Sequence, residues 1–173
     1  VRVRPRIVAR VAGWDEKLLA ARPDRAFSIE SSVAYSRGVA YFANSAGLVQ
    51  GWDLRATFAR GAAPRRVFRF WMGDDTDATI VVDRDGHLYA ASEVERFGAR
   101  SKQVGQLVKL DPRRPRDPVV WSLPLTRIGW QGKAGVWSTP AIDRETVYVT
   151  TNAGELVAVN RRSGKVRWRV ELP

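Results

Sequence analysis

Two groups of acidic residues stand out in a chain that is otherwise strongly basic. Asp74, Asp75 and Asp77 are close together in the sequence, and Glu93 and Glu95 follow further along. The formal net charge at pH 7 is +11, so these neighbouring carboxylates are unexpected. Hard cations take several carboxylate oxygens. One interpretation is therefore a calcium site with the three aspartates as ligands, or a site for a cationic ligand. The alternative is an ordinary polar turn, in which an aspartate side chain bonds to its own backbone.

The other reactive residue types exclude several kinds of chemistry. The chain has no cysteine, which excludes a disulfide scaffold, a thiolate zinc site and a cysteine nucleophile. His87 is the single histidine, so a two-histidine metal site is excluded, and no serine partner for a catalytic triad is recognisable. The sequence has no glycine loop of the kind that cradles a phosphate. We therefore assign no catalytic residue, and the sequence favours a binding protein over an enzyme.

The basic residues are spread along the chain instead of forming one stripe. Lysine and arginine account for 29 of the 173 residues, and many arginines alternate with apolar residues, as in 1–4 and 166–170. Such alternation is typical of strands that carry charge on the solvent side. Nucleic-acid binding is not expected, because no basic stripe carries interleaved aromatic residues. No transmembrane segment is expected either, because no apolar run reaches the ~18 residues that a membrane-spanning helix needs.

The elements that hold the acidic residues come from an internal repeat. Three segments share a tyrosine, then a glycine, then an aspartate or asparagine six residues after the glycine. The copies are Tyr41, Gly47 and Asp53; Tyr89, Gly105 and Asp111; and Tyr148, Gly154 and Asn160. The second copy has ten extra residues between its tyrosine and its glycine. The three tyrosines are 48 and then 59 residues apart. A repeat of this length indicates a protein built from similar structural units.

Each copy divides into four short strand-like runs separated by turn residues. Many runs are apolar at nearly every position, such as 78–82, as expected for strands whose sheets are covered on both faces. The pattern predicts an all-β fold. We expect a partial β-propeller of about three four-stranded antiparallel blades, a fragment of a larger propeller with roughly seven or eight. A β-sandwich is the structural alternative. The chain begins with Val1 and its only methionine is Met72, so we expect a processed product or a piece of a longer chain.

The predicted blades form a single partial domain. One blade is expected over 31–72, a second over 78–123 with an insertion at 93–104, and a third over 138–171. Residues 1–30 are expected to hold a strand or connection from a preceding blade.

Strand alternation places the long, unusual loops at one end of the blades. In an up-and-down blade, the loop entering the first strand and the loop joining the second and third strands lie at the same end. That end, here called the loop end, carries the loops 71–77, 93–104 and 124–137. Binding sites tend to lie on loops held by a rigid scaffold. Phe97 and Trp130 in these loops are candidates for a partner-binding surface, and a plug that closes the propeller channel is the alternative.

The third repeat resembles the PQQ-like, or quinoprotein-type, β-propeller repeat. Residues 138–142 and 147–149 resemble its first two strands. The segment 158–168 is similar to its tryptophan-docking motif, which has alanine first, glycine seventh and tryptophan eleventh. The structural docking residues are Ala158, Gly164 and Trp168, which match these three positions. The resemblance implies that the tryptophan packs against the neighbouring blade, and it is weaker in the other two repeats.

The resemblance implies a class of function as well as a fold. The same repeats occur in BamB-like proteins and other non-catalytic propellers. We therefore expect a scaffold that binds a protein partner, a small ligand or a cation through the loop end, with the remaining blades of the propeller as further partners. The alternative is a fragment of a PQQ- and calcium-dependent dehydrogenase, although no specific residue supports PQQ or calcium as a cofactor. The resemblance also implies a periplasmic, cell-surface or secreted location. WD40 repeats are the rival propeller family.

Overall fold

The structure of this chain is a computed structural model that describes residues 4, 6–22, 25 and 27–173. Its strands form three four-stranded antiparallel sheets and one two-stranded sheet, joined by short helices. Each α-helix in those ranges has six residues. No helix among the described residues is long and apolar enough to cross a membrane.

The segment before the first sheet is extended chain followed by helix α1 (Glu16–Ala21). The Asp15 side chain caps this helix by accepting a hydrogen bond from Leu18 N at 2.9 Å. The same carboxylate pairs with Arg66 at 2.8 Å and with Arg69 at 2.6 Å, both on the first sheet. One aspartate therefore both begins the helix and fastens it to the sheet.

The strand or connection expected in 1–30 lies only in part within the described residues. The described part holds extended chain and α1. Residues 1–3, 5, 23, 24 and 26 lie outside the described residues, so the strand expected near the start of the chain stays a prediction.

Blade 1 is a four-stranded antiparallel sheet in simple up-and-down order. Its strands are β1 (Ala34–Ser36), β2 (Val39–Phe42), β3 (Leu48–Asp53) and β4 (Arg65–Trp71). Helix α2 (Arg55–Arg60) joins β3 to β4 and ends at Gly61, which has a left-handed backbone. The outer edge of this sheet is β4.

Blade 2 has the same order but carries the insertion. Its region contains β5 (Val81–Val82), β6 (Leu88–Ala91), β7 (Glu93–Val94), α3 (Ala99–Val104), β8 (Leu107–Leu110) and β9 (Val119–Leu123). The sheet order is β5-β6-β8-β9. The insertion supplies β7 and α3, so it leaves the four-stranded sheet intact.

Blade 3 follows a loop that pairs with the insertion. In this loop, β10 (Ala134–Gly135) pairs with β7. The blade itself consists of β11 (Ala141–Asp143), β12 (Thr146–Thr150), β13 (Glu155–Asn160) and β14 (Val166–Glu171), again in up-and-down order.

All three blades share one irregularity. The pairing of the third and fourth strands shifts register at the same point of each repeat, four residues after the repeat glycine. The shift falls between Gly51 and Trp52, between Lys109 and Leu110, and between Ala158 and Val159. A bulge of this kind increases the local twist of the strand pair, so the repeat extends to a detail of the backbone.

Two apolar clusters fill the interfaces between neighbouring blades. The first joins blades 1 and 2 and includes Val49, Phe68 and Leu88. The second joins blades 2 and 3 and includes Tyr89 and Val157. Each fully buried aliphatic or aromatic side chain contributes about 1.5–3 kcal/mol, so the interfaces hold the arc together. Three separate sheets stacked in succession form a partial β-propeller, as the repeats predict, and not a two-sheet sandwich.

Candidate functional site

Main-chain hydrogen bonds join the three long loops at the loop end. Glu93 N donates to Asp75 O at 2.9 Å, and Val136 N donates to Ser92 O at 2.9 Å. The pairing of β7 with β10 crosses the same place, with Glu93 opposite Gly135. Acidic groups that are distant in the sequence are therefore held in neighbouring loops.

Asp74 is fully buried and holds two of these loops together. Its carboxylate accepts hydrogen bonds from Asp75 N at 3.0 Å and from Arg96 N at 3.3 and 3.2 Å. The Arg96 guanidinium lies 3.9 Å away. The oxygens of Asp74 are thus occupied by protein donors, which is the polar-turn arrangement.

Burial changes the protonation of the neighbouring carboxyl groups. The pKa of Asp75 is raised to about 7 by burial and by the nearby charge of Asp77. The pKa of Glu93 is raised to about 8 by burial and by the neighbouring carboxyl group of Asp77. Burial and the charge of Glu30 raise the pKa of Asp77. At neutral pH the group is therefore partly protonated, which relieves the repulsion between like charges.

The carboxyl groups of Asp77 and Glu93 lie close enough to influence each other's pKa. Asp77 Oδ1 and Glu93 Oε2 are buried, and neither has a hydrogen-bond partner among the described residues. Two deprotonated carboxylates have no donor between them, so the pair favours protonation of one of its two carboxyl groups. Glu30 lies near enough to Asp77 to raise its pKa. The sequence alone does not single out Glu30, although the loop that enters β1 belongs to the loop end.

Lys133 places a cation beside these carboxyl groups. Its Nζ forms an ion pair with Glu95 and lies 3.8 Å from Glu93 Oε2. The same ammonium lies 5.1 Å from the centroid of the Trp137 ring, within the range of a cation–π interaction. The hydrogen bond to Glu95 raises the pKa of Lys133. The acidic residues that influence one another at the loop end are called the carboxyl cluster: Glu30, Asp75, Asp77, Glu93 and Glu95.

The two aromatic candidates lie in different loops of this end. Phe97 is 41% exposed, and its φ of 51° is a left-handed conformation that is uncommon for an aromatic residue. Arg96, the preceding residue, donates from Nη1 to Ser45 O at 2.9 Å, which ties the insertion to blade 1. Trp130 begins a 3₁₀ turn, and its side chain lies outside the described residues. A contact surface and a plug both stay predictions.

The three aspartates that the sequence suggests as calcium ligands do not converge. Within the described part of the chain, a single group of three His, Asp or Glu residues has ligand atoms within 4.8 Å of one another. That group does not include Asp74, Asp75 or Asp77. Calcium takes six to eight oxygens, and the calcium site expected at these three aspartates stays a prediction.

The group that does converge lies in the β5–β6 hairpin and consists of Asp83, Asp85 and His87. Asp83 Oδ1 accepts hydrogen bonds from Asp85 N and His87 N, both at 2.9 Å. Arg161 Nη1 lies 3.7 Å from Asp83 Oδ2, and Arg113 Nη2 lies 3.4 Å from His87 Nε2. Two guanidiniums already balance this turn, so it is a hairpin with a structural role.

Trp121 docks blade 2 onto blade 3. Its ring packs against Gly164, where an added Cβ would lie 2.8 Å from the ring atoms. Its Nε1 donates to Arg161 O at 3.0 Å, and its ring centroid lies 6.0 Å from that of Tyr89. Gly164 has a φ of 72°, as the turn in the motif requires. Trp121 follows Asp111 by ten residues, whereas Trp168 follows Asn160 by eight, so the spacing in the third repeat does not point to this role for Trp121.

The remaining motif residues lie on the other face of blade 3. Ala158 is fully buried and lies opposite Trp168 in the β13–β14 register. Trp168 is 43% exposed, and its ring centroid lies 6.0 Å from that of Tyr148. Tyr148 and Trp168 therefore repeat the spacing of the docked tyrosine–tryptophan pair in blade 2.

A known family model matches the last part of the chain. Residues 103–173 match the family model described as outer membrane protein assembly factor BamB. This match covers blade 3 and the last two strands of blade 2. A search of curated protein sequences gives no match to the chain.

Solved structures share the fold at low sequence identity. BamB from Moraxella catarrhalis is 16% identical with a TM-score of 0.59, and the match covers 84% of this chain and 38% of that chain. Quinohemoprotein alcohol dehydrogenase from Comamonas testosteroni is 15% identical with a TM-score of 0.61, covering 83% of this chain and 21% of that one. At these identities the likeness shows the fold alone. The chain spans well under half the length of either protein.

Proposed function

Because the repeats of this chain are of the PQQ-like β-propeller family, we propose that it is part of a non-catalytic scaffold. In this proposal the carboxyl cluster at the loop end binds a cationic group of a protein partner. The observation that carries the proposal is the pair of buried carboxyl oxygens, Asp77 Oδ1 and Glu93 Oε2, which have no hydrogen-bond partner among the described residues. A cation that approaches such a pair stabilises its deprotonated form and takes the place of the proton.

The accessible members of the cluster give a partner a way in. The side chain of Asp75 is 14% exposed and that of Glu95 is 25% exposed. Asp75 Oδ1 is buried and accepts no hydrogen bond from the described residues, so a partner reaches the cluster through the exposed parts of Asp75 and Glu95. Lys133 supports the choice of ligand, because an ammonium group already lies between Glu95 and the Trp137 ring. A lysine or arginine of a partner fits this chemistry better than a metal ion does, because no set of calcium ligands converges there.

A binding titration with a cationic peptide tests this proposal. The probe is a fluorescent oligolysine peptide, with an oligoserine peptide of equal length as the uncharged comparison. Binding is expected to tighten from pH 6 to pH 9, because Asp75 and Glu93 lose their protons in that range. Asp75→Asn is expected to weaken binding by roughly tenfold, as expected for loss of a charged hydrogen bond.

Asp117→Asn is the matched control. It removes one carboxylate that is 79% exposed and pairs with Arg114 at 2.6 Å, away from the cluster. Equal weakening by Asp75→Asn and Asp117→Asn would mean that net charge alone attracts the peptide, and the proposed site would be wrong. Binding that does not change between pH 6 and pH 9 would also contradict it.

The alternative of a PQQ- and calcium-dependent dehydrogenase has weaker support. The described carboxylates do not form a calcium ligand set at the loop end, and Asp74 is occupied by main-chain donors. Dye reduction with alcohols after addition of PQQ and calcium would reverse this preference.

The face of blade 3 that carries Tyr148 and Trp168 is the proposed contact for remaining blades of a longer propeller. The support is the match between its tyrosine–tryptophan spacing and that of the docked pair in blade 2. A periplasmic, cell-surface or secreted location is proposed from the family resemblance, and fractionation of cells that express the full gene tests it.

A further inference from the structure

A groove of about 570 Å³ opens between the outer parts of blades 1 and 2. One wall is the end of β4, the second is the start of α3, and the third is the loop before β9. The residues that matter to its chemistry are Arg69, Phe70, Trp71, Arg100, Arg116 and the carboxylate Asp117. This groove lies outside the carboxyl cluster, and its charge has the opposite sign.

Arg100 is a half-buried cation without a described anionic partner. Its Nε donates to Trp71 O at 3.1 Å, and its guanidinium lies 5.5 Å from the centroid of the Phe70 ring. The stem packs on Gly73, where an added Cβ would lie 2.6 Å from Arg100 Cγ. Burial lowers the pKa of Arg100, and no described carboxylate forms an ion pair with it. The guanidinium is thus held in place with its charge uncompensated.

Arg116 adds a second uncompensated cation to the same groove. It is exposed and forms no ion pair with a described carboxylate. The neighbouring charges are already matched, since Arg114 pairs with Asp117 at 2.6 Å and Arg69 pairs with Asp15 at 2.6 Å. Two guanidiniums are therefore available to an anionic ligand. Guanidinium groups bind carboxylates through paired, charge-assisted hydrogen bonds.

The wall formed by β4 favours a polypeptide as the ligand. The sheet order β1-β2-β3-β4 makes β4 an edge strand among the described residues. Such an edge presents main-chain N–H and C=O groups that can pair with an extended chain, although Trp71 O already accepts a hydrogen bond from Arg100. A free anion would use the guanidiniums but would leave this edge unused.

We propose that the groove binds an extended acidic segment of a partner protein. Carboxylates of the segment pair with Arg100 and Arg116, and its main chain runs beside β4. This site is independent of the proposed cation-binding cluster, and either one can exist without the other.

Fluorescence anisotropy with the 173-residue chain tests the proposal. The probe is a labelled oligoglutamate peptide, with oligoglutamine of equal length as the uncharged comparison. Arg116→Gln is expected to weaken binding roughly tenfold, because it removes one charged hydrogen-bonding group. Arg100→Gln is expected to weaken it at least as much. Arg100→Lys is expected to be intermediate, because lysine keeps the charge but loses the planar fork.

Arg162→Gln is the matched control, since it removes one positive charge from an exposed turn of blade 3. It is expected to leave peptide binding within twofold of the original. Arg116 is exposed, so its variant keeps the test valid even if Arg100→Gln disturbs α3.

Three results would overturn the proposal. The first is equal weakening by Arg162→Gln and Arg116→Gln, which would mean attraction by net charge. The second is equal binding of oligoglutamate and oligoglutamine. The third is displacement of the peptide by inorganic phosphate at equal concentration of charge, which would mean that the site recognises a free anion and not a chain.

Discussion

At the scale of single residues, the most consequential feature is a pair of buried carboxyl groups that lack hydrogen-bond donors. Glu93 is 1% exposed, and neither its Oε2 nor Asp77 Oδ1 has a hydrogen-bond partner among the described residues. The pKa of Glu93 is raised to about 8, so the folded chain binds the Glu93 proton more tightly than the unfolded chain does. A raised carboxyl pKa gives stability that is fully present at low pH and is lost as pH rises through the folded value.

The first prediction concerns the stability of the fold as a function of pH. Between pH 5 and pH 9 the free energy of unfolding is expected to fall by up to about 4 kcal/mol through Glu93. Glu93→Gln is expected to flatten that dependence, because a glutamine amide carries no titrating proton. Urea denaturation at several pH values measures both. A Glu93→Gln variant that keeps the original slope would show that another group causes the dependence.

The second prediction compares two glycines with the same backbone. Gly154 and Gly164 both have φ of 72°, but an added Cβ meets nothing within 4 Å at Gly154 and meets Trp121 at 2.8 Å at Gly164. Gly154→Ala is expected to cost about 1 kcal/mol, for the left-handed backbone alone. Gly164→Ala is expected to cost at least about 1–3 kcal/mol more, because it overpacks the interface. Equal losses in urea denaturation would contradict the role of Gly164 as the docking surface.

At the scale of elements, the short helices act as braces whose stability depends on tertiary contacts. Six-residue helices do not form alone in water. Helix α1 persists because Asp15 caps it and joins it to Arg66 and Arg69 of β4. The hydrogen bond from Arg69 lowers the pKa of Asp15 to about 2.

The third prediction tests this brace. Asp15→Ala is expected to cost about 1 kcal/mol, the usual value of a helix cap. Glu16→Gln, a charge change on the first turn of the same helix, is expected to cost much less. The lowered pKa of Asp15 means that its contribution is present above about pH 4 and is lost as pH falls towards 2. Denaturation curves of the original and Asp15→Ala chains should therefore converge at low pH.

Sequence patterns predicted the strands well, because each repeat carries its own turns and apolar runs. Helices α1, α2 and α3 were not predicted, since six residues carry almost no periodic signal. The docking role of Trp121 was hidden by the connection that precedes it, which changes the spacing from Asp111. In the β8–β9 register Trp121 lies opposite Lys109, just as Trp168 lies opposite Ala158. Strand pairing, and not the count along the chain, decides which tryptophan docks.

The sequence predicted four residues of the acidic site but not all of its members. Asp75, Asp77, Glu93 and Glu95 lie on loops whose shared end follows from strand alternation. The contributions of Glu30 and Lys133 depend on contacts between different loops and blades. The protonation of the buried carboxyl groups depends on burial. The spacing of residues along the chain shows neither the contacts nor the burial.

At the scale of the whole molecule, stability is a sum of blades and the interfaces between them. The interface between blades 2 and 3 is centred on Trp121, which is 8% exposed, while the interface between blades 1 and 2 has its own apolar cluster. A substitution at one interface is therefore expected to destabilise mainly the blades that this interface joins.

The fourth prediction follows from this arrangement. Trp121→Ala is expected to cost about 3–5 kcal/mol and to lower amide protection mainly in β11–β14. Protection in β2 and β3 should change little. Trp168→Ala is the control, because that ring is 43% exposed. Hydrogen exchange measured by mass spectrometry resolves the blades, and a uniform loss of protection would show that the three sheets unfold as one unit.

The register shift repeated in every blade has a further consequence for how this chain can change over time. Because each shift lies between the third and fourth strands, the twist that it adds is set away from the loop between the second and third strands. Blade 2 accepts ten extra residues in that loop and still keeps the same shift. The loops at the loop end can therefore change in length and composition under selection for new partners. The twist that the register shift adds to each blade does not depend on those changes.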